Sequence, residues 1–538
     1  MGHGLGPAGG GCSADASGCG APGCPQVRGC RLPRCVCVAA TAATTGGPTA
    51  LRGGLGPSVR PAHSQGPSAR GWGVPAGLVG LALALRLPGV LTHAFDQDEL
   101  YTLHESLDLF ATTLEPGIDA RPVYYLLQHV LLFVVPHTEL GLRVLPLVFG
   151  LGGVFLTWYV AQRLAGPLAG VVAGLVVAAA PWHIYVSSTA RYYSLVYLLA
   201  LGFFYCFLRA AESGSDRRWH LAALVLLVVG ASTHPTFVFP AFGGAVLAVL
   251  GAWTWKRLEG VATVPLITRI AVPFAAFLLV ALAILRAVGR ETAVRNFDGR
   301  GWTAVVRLLP AIVEWVTPMI LVAGVVSALW LLRSARLRTD LLWALLVLGG
   351  TAGTLGILFL AAMVTDVYSY YATAMLPLLF VSIGVGVARV ADDLPGASRV
   401  ATVGAIAIVL LAGMAPGTAS QILHGTRFDY RPAFEEIRAR GPNDLVLAWP
   451  VVVQRYYAPE LRAREFHPDP DYLQETLEGG EPFWAIASRR RHGIIGDLGD
   501  EGRRWLSREC AEARNFQGRR FDFRMYEVIL YRCGDLVQ

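Results

Sequence analysis

Gly73 to Leu91 reads GVPAGLVGLALALRLPGVL and continues through Thr92-His93-Ala94 into Phe95-Asp96-Gln97-Asp98-Glu99. A helix needs about 20 mostly uncharged residues to cross the hydrocarbon core of a bilayer, and the first part of this stretch supplies them with Arg86 as its single charge. Three carboxylates follow within a few residues. An apolar run that ends on acids reads as a span leaving the membrane, and similar apolar runs recur along the chain.

The composition agrees, with 54% hydrophobic residues, 15% charged residues and a mean hydropathy of +0.49. That is too apolar for the surface of a soluble globule of this length. Further apolar runs cover Leu140 to Gln162, Pro167 to Val186, Tyr192 to Ala210, Trp219 to Thr233 and Thr236 to Trp255. Five more cover Pro265 to Val288, Val305 to Leu332, Leu341 to Val364, Tyr370 to Val390 and Val400 to Pro416. The expected fold is a polytopic α-helical membrane protein with about eleven spans. Pro122 to Pro136 is apolar but short and bounded by prolines, which predicts a juxtamembrane or re-entrant helix in the first loop.

Charge sets the orientation. If that short helix does not cross and the N terminus is cytoplasmic, one side receives Arg163, then Arg209, Arg217 and Arg218, then Lys256 and Arg257. The same side then receives Arg333, Arg336 and Arg338, and finally Arg389 and Arg399, as the positive-inside rule asks. Counting the short helix as a span would reverse every later loop. The net charge of +7 is therefore an orientation signal, and nucleic-acid binding is not indicated.

Three regions follow. Residues 1–71 are rich in Gly, Pro, Ala and Ser, with six cysteines in no paired zinc spacing, and predict a disordered tail or a start codon placed too early. Residues 72–417 form the membrane region, with its first external loop at 92–139 and multiple passes through the plasma (inner) membrane. Residues 418–538 predict a small extracytoplasmic α/β domain: a helix from Pro432 to Arg438, a strand at Leu445 to Trp449, a strand at Phe483 to Ala487, a helix around Arg503 to Ala513 and a last strand at Met525 to Tyr531. Cys510 and Cys533 share that oxidising side, where a bridge between the helix and the last strand is open to them.

The chemistry starts at Asp98-Glu99. A carboxylate at a membrane surface can take a proton from a hydroxyl, and neighbouring carboxylates can shift one another's pKa or share a metal ion. Further on stand Arg121-Pro122-Val123-Tyr124-Tyr125, then Arg143-Val144-Leu145-Pro146, then Ser187-Ser188-Thr189-Ala190-Arg191-Tyr192-Tyr193. In this order the elements resemble the C-type glycosyltransferases, nearest to the protein O-mannosyltransferase and aminoarabinose transferase branch. The resemblance covers roughly Leu91 to Pro416. The chain differs in having Arg121 in place of the first proline of the juxtamembrane signature, and Tyr368-Ser369-Tyr370-Tyr371 where many members carry Arg-Tyr.

The resemblance implies a transferase that moves a sugar from a polyprenyl-phosphate donor to an acceptor hydroxyl on a protein, lipid or glycan, with inversion. It implies Asp98 as general base and Glu99 as its partner or as a metal ligand. Arg191 suits the phosphate, since guanidinium pairs with phosphate bidentately. Tyr192, Tyr193, Arg121, Tyr124 and His234 complete the expected substrate site, together with Arg295, one of three arginines in the loop from Gly289 to Trp302. A divalent metal ion is left open as cofactor, with Asp98, Glu99 and His234 as its ligands. The other reading is a secondary transporter or flippase, which would show paired repeats and midplane ionisable residues.

Overall fold

The computed structural model describes residues 72–109, 121–213, 216–259, 301–335, 338–364, 367–425, 427–448, 451–467, 469–490, 500–519, 521 and 525–534. The 1–71 tail, the Pro265 to Val288 run and Arg290, Arg295 and Arg300 lie outside the described residues.

Among the described residues, six helices are long and apolar enough to cross a membrane, and two bent helix pairs bring the number to as many as eight. The six are α1 (Gly73–Thr92), α4 (Glu139–Ala165), α7 (Tyr193–Ser213), α12 (Arg338–Ala362), the stretch ending in α13 (Leu376–Asp392), and α14 (Gly396–His424). Between them lie α2 (Gln97–Leu107), α3 (Pro122–Leu132), α5 (Pro167–Ala179), α6 (Pro181–Ser187), α8 (Arg217–Thr233), α9 (Val238–Glu259), α10 (Trp302–Val316) and α11 (Pro318–Ser334).

The two bent pairs correct the reading of their runs as single elements. Pro167 to Val186 divides into α5 and α6, bent by 66° at Ala180-Pro181. Val305 to Leu332 divides into α10 and α11, bent by 87° at Thr317. Pro318 disfavours α-helical backbone at the residue before it, and Thr317 takes φ 73°, a left-handed conformation that β-branched residues rarely adopt.

α13 is buried on all sides, which fits its all-round apolar sequence, whereas α14 is mostly exposed. α9 and α12 approach backbone to backbone at Gly243, Gly349 and Gly353. A methyl group on Gly243 would run into the Gly349 carbonyl, so small residues are required there. Arg86 is fully buried in α1. Its guanidinium donates to the Ala82 and Ala178 carbonyls at 2.8 and 3.0 Å and meets His183 Nδ1 at 2.6 Å.

α3 is 11 residues long, about 16 Å at the helical rise, roughly half the hydrocarbon thickness. It turns Tyr124, Tyr125 and Gln128 inward and leaves Leu126, Leu127 and Val130 exposed, as are Phe133 and Val134 just after it.

After α14 come α15 (Arg431–Arg440), β1 (Leu445–Ala448), α16 (Val451–Tyr457), β2 (Ala463–Glu465), α17 (Pro470–Glu478), β3 (Phe483–Arg490), α18 (Asp500–Glu509), β4 (Cys510–Arg519) and β5 (Met525–Cys533). The strands form one sheet in the order β2-β1-β3-β5-β4, with β1 parallel to β2 and β3, and β5 antiparallel to β3 and β4. The helix expected to reach Ala513 ends at Glu509, where the edge strand β4 begins. Cys510 and Cys533 face each other directly in that register and are disulfide-bonded, so the bridge joins two strands rather than a helix and a strand.

Candidate functional site

Asp96-Gln97-Asp98-Glu99 is the start of a helix. Asp96 is the N-cap of α2: its carboxylate accepts the Glu99 amide at 3.1 Å, and Glu99 Oε2 accepts the Asp96 amide at 3.2 Å, a complete capping box. Consecutive helical residues differ in direction by roughly 100°, so the side chains of Asp98 and Glu99 point to different places.

Glu99 points inward. Arg143, from the first turns of α4, donates from Nε and Nη2 to its two oxygens at 2.8 and 2.7 Å. The Ala190 amide donates to Oε1 at 2.7 Å. The same guanidinium donates to the Gly89, His93 and Ala94 carbonyls at the end of α1, where helical carbonyls lack partners. Arg143 and Glu99 are both almost wholly buried.

Asp98 points the other way, into a narrow cleft that it shares with Arg191, Arg427, Tyr185, Trp315 and Tyr370. Its side chain keeps 32% exposure against 5% for Asp96. Arg427, from the link between α14 and α15, donates to both: Nε meets Asp96 Oδ2 at 2.7 Å, and Nη2 pairs with Asp98 Oδ2. Burial alone would raise the Asp98 carboxyl, but Arg427, Arg191 and Arg121 outweigh it and bring it down to about 2. For Asp96 burial prevails over Arg427, and its carboxyl is raised.

Arg191 does not touch the Asp98 carboxylate. Its Nη1 donates to the Asp98 carbonyl at 3.0 Å and to Thr102 Oγ1 at 3.1 Å. Its guanidinium also lies 5.0 Å from the Tyr192 ring centre, and that of Arg121 lies 4.7 Å from the same ring. Tyr192 further packs against Tyr124, Tyr193 and His234, with centroids at 6.0, 4.5 and 4.9 Å. Asp98, Arg191, Tyr192, Tyr193, Arg121, Tyr124 and His234 thus belong to one continuous neighbourhood, while Arg295 lies outside the described residues.

The metal set of Asp98, Glu99 and His234 does not fit. Glu99 has both oxygens occupied by Arg143 and backbone amides, and Asp98 faces Arg427. His234 Nδ1 accepts the Thr236 amide, which puts the proton of the neutral ring on Nε2, where a metal would need a lone pair. Burial, then Arg121 and Arg191, keep that ring neutral. Among the described residues no group of three or more His, Cys, Asp and Glu side chains could hold an ion.

Sequence reasoning missed Arg427 and Arg143. Arg143 lies in the Arg143-Val144-Leu145-Pro146 stretch, whose sequence does not show that its guanidinium turns to Glu99. The Asp-x-x-Glu capping signature was present at Asp96 to Glu99 and signals a helix start. It separates the two carboxylates that adjacency in sequence suggests should act together.

No family model matches the chain, and no curated protein matches it. Among solved structures the chain is similar to ArnT from Cupriavidus metallidurans in the apo state, with 15% identity over 86% of this chain and 98% of that one and a TM-score of 0.48. The same protein bound to undecaprenyl phosphate gives 15% identity, the same coverage and a TM-score of 0.47. The chain is also similar to the archaeal oligosaccharyltransferase AglB from Archaeoglobus fulgidus, in complex with an inhibitory peptide and a dolichol-phosphate, with 12% identity, 77% and 69% coverage and a TM-score of 0.48.

Proposed function

We propose that the chain is a membrane glycosyltransferase that moves a sugar from a polyprenyl-phosphate donor to an acceptor hydroxyl outside the cytoplasm, with inversion at the anomeric carbon. The observation that carries this reading is a part-exposed carboxylate, Asp98, sharing a cleft with the guanidinium groups of Arg191 and Arg427. Such a site can deprotonate a hydroxyl and stabilise a departing phosphate side by side.

In this reading Asp98 takes the acceptor proton as the acceptor oxygen bonds to the anomeric carbon. The bond from that carbon to the phosphate oxygen breaks toward phosphate, and the polyprenyl phosphate leaves against the arginines. Tyr192, Tyr193, Tyr124, Arg121 and His234 shape the substrate side. Glu99 acts on Asp98 by fixing the N-terminus of α2. The chain crosses the membrane eleven times with its N terminus cytoplasmic, α3 lies in the interface, and residues 418–538 form an extracytoplasmic domain over the site.

The test is a transfer assay of purified protein with a panel of polyprenyl-phosphate sugars. Asp98→Asn should lower kcat by about 10²–10⁴-fold. Transfer by this variant at the wild-type rate, or a product that keeps the donor's anomeric configuration, would overturn the proposal.

A further inference from the structure

Arg427 is set far from Asp98 in the chain, on the short link that follows α14, and its neighbours Phe428 and Tyr430 anchor it in the packing of the C-terminal sheet. Its single positive charge faces two carboxylates, Asp96 and Asp98. The two aspartates are not equivalent. Asp96 is tied down as the cap of α2, is almost fully buried and meets both Nε and Nη2 of Arg427, whereas Asp98, at the edge of the cleft, meets Nη2 alone. Asp98 is the partner that can let go.

The other wall of the cleft carries a second observation. Arg191 Nε is buried and has no hydrogen-bond partner among the described residues, although its Nη atoms are engaged. A buried guanidinium N–H without an acceptor is unfavourable, and an anion brought against Arg191 would supply one. Between Arg191 and Arg427 the cleft has a volume of about 10 Å³, roughly the least that holds one water. A phosphate enters only if one of the lining groups moves.

We infer that Arg427 is shared between Asp98 and the phosphate of the lipid donor. Without donor it bridges Asp96 and Asp98. When the phosphate enters between Arg191 and Arg427, Arg427 keeps Asp96 and exchanges Asp98 for the phosphate, so Asp98 becomes an unpaired base only when a donor is in place. The inference rests on the donor class proposed above. It makes Asp98 a competitor of the donor phosphate, and the two interactions with Arg427 are reciprocally coupled.

The test is equilibrium binding of radiolabelled undecaprenyl phosphate to the full-length protein in nanodiscs, with undecaprenol as the control that lacks phosphate. Wild type should prefer the phosphate form by at least about tenfold, as expected for charge-assisted hydrogen bonds. Arg427→Gln should remove most of that preference, and Arg427→Lys should restore part of it. Asp98→Asn should bind the phosphate form several-fold more tightly than wild type, because the competitor is gone. An arginine that only supports the fold gives no reason for such a gain.

Arg427→Gln binding like wild type, or Asp98→Asn binding no more tightly than wild type, would overturn the inference while leaving the donor class intact. A wild type with no preference for the phosphate form would overturn both. Equal displacement of the label by inorganic phosphate at the same concentration would show a free-anion site and overturn the lipid-donor part. If Arg427→Gln does not fold, as size-exclusion chromatography and the unfolding temperature would show, the Asp98→Asn measurement decides alone.

Discussion

Asp98 and Glu99 are neighbours in sequence with the same functional group, and they stand in opposite surroundings. Glu99 is sealed: both oxygens are taken by Arg143 and backbone amides, and Arg143 also closes the carbonyl end of α1. Asp98 stands one helical step round, with a third of its side chain exposed and, among the described residues, a single ionic partner that itself faces a second carboxylate. The first pair joins two membrane helices to α2. The second joins α2 to the segment that leads into the C-terminal sheet. A capping box at the start of a short helix is enough to give adjacent acids these two environments.

Exchanging the charges should separate the two pairs by readout. Asp98→Asn is the larger effect on transfer and should lower the unfolding temperature less than Arg143→Met does, since Arg427 keeps Asp96 as a partner. Arg143→Met should do the reverse. Removing one member of a buried ion pair costs about 3–5 kcal/mol, and a drop in unfolding temperature should report it. Glu99→Gln should fall between, and combining it with Arg143→Met should cost less than the sum of the two, as expected for residues in direct contact. Equal losses of stability for Asp98→Asn and Glu99→Gln would erase the distinction.

pH probes the open pair. A depressed aspartate adds stability that is present above its ordinary value of about 3.9 and is lost as pH falls through the folded value, here about 2. Asp96 works in the opposite sense: burial raises it, so ionising it as pH rises removes stability, and Arg427 limits that loss. For transfer, the acid limb of kcat/KM reports the free protein, so it should stay flat on acidification to about pH 4. In Arg427→Gln the limb should move up, because the largest cationic influence on Asp98 is removed while burial remains. A limb that does not move would mean that Arg427 does not set the state of Asp98.

How much of this was legible in the sequence depends on range. The apolar runs depend on local composition, and the short α3 follows from Pro122 and the brevity of the run behind it. Tyr192 and His234 stand in turns that local polarity marks, and Tyr193 opens the helix that follows the first of them. Arg427 could not be found this way, because it meets Asp98 across 329 residues and nothing near it in sequence points there. The bend at Thr317 was signalled by Pro318, but an apolar run hides a break whose cause is a single residue. β4 was invisible for a different reason. It is an edge strand with Glu512, Arg514, Asn515 and Gln517 along it and one fully buried position, Cys510, so apolar alternation never develops.

The smallest expected effect comes from the contacts that hold the acidic segment from the C-terminal side. The Phe95 amide donates to Tyr457 Oη at 2.7 Å, and Tyr457 in turn donates to Glu139 Oε1 at 3.3 Å. Tyr456 reaches the other oxygen of Glu139 at 3.1 Å and packs its ring against Phe95 at 5.2 Å. Tyr457→Phe keeps the ring and removes the acceptor for the Phe95 amide, a loss of about 1–2 kcal/mol for a group left partly buried. Tyr456→Phe should cost less, because the Phe95 amide keeps its acceptor and Glu139 keeps Tyr457. Hydrogen exchange at the Phe95 amide distinguishes the two: faster in Tyr457→Phe, near wild type in Tyr456→Phe. Because Phe95 precedes the cap of α2, a loosened amide there should lower transfer a few-fold without changing its pH profile, since Arg427 still holds Asp98. A change in the profile would mean that the docking of α16, and not Arg427 alone, sets the charge state of the carboxylate at the cleft.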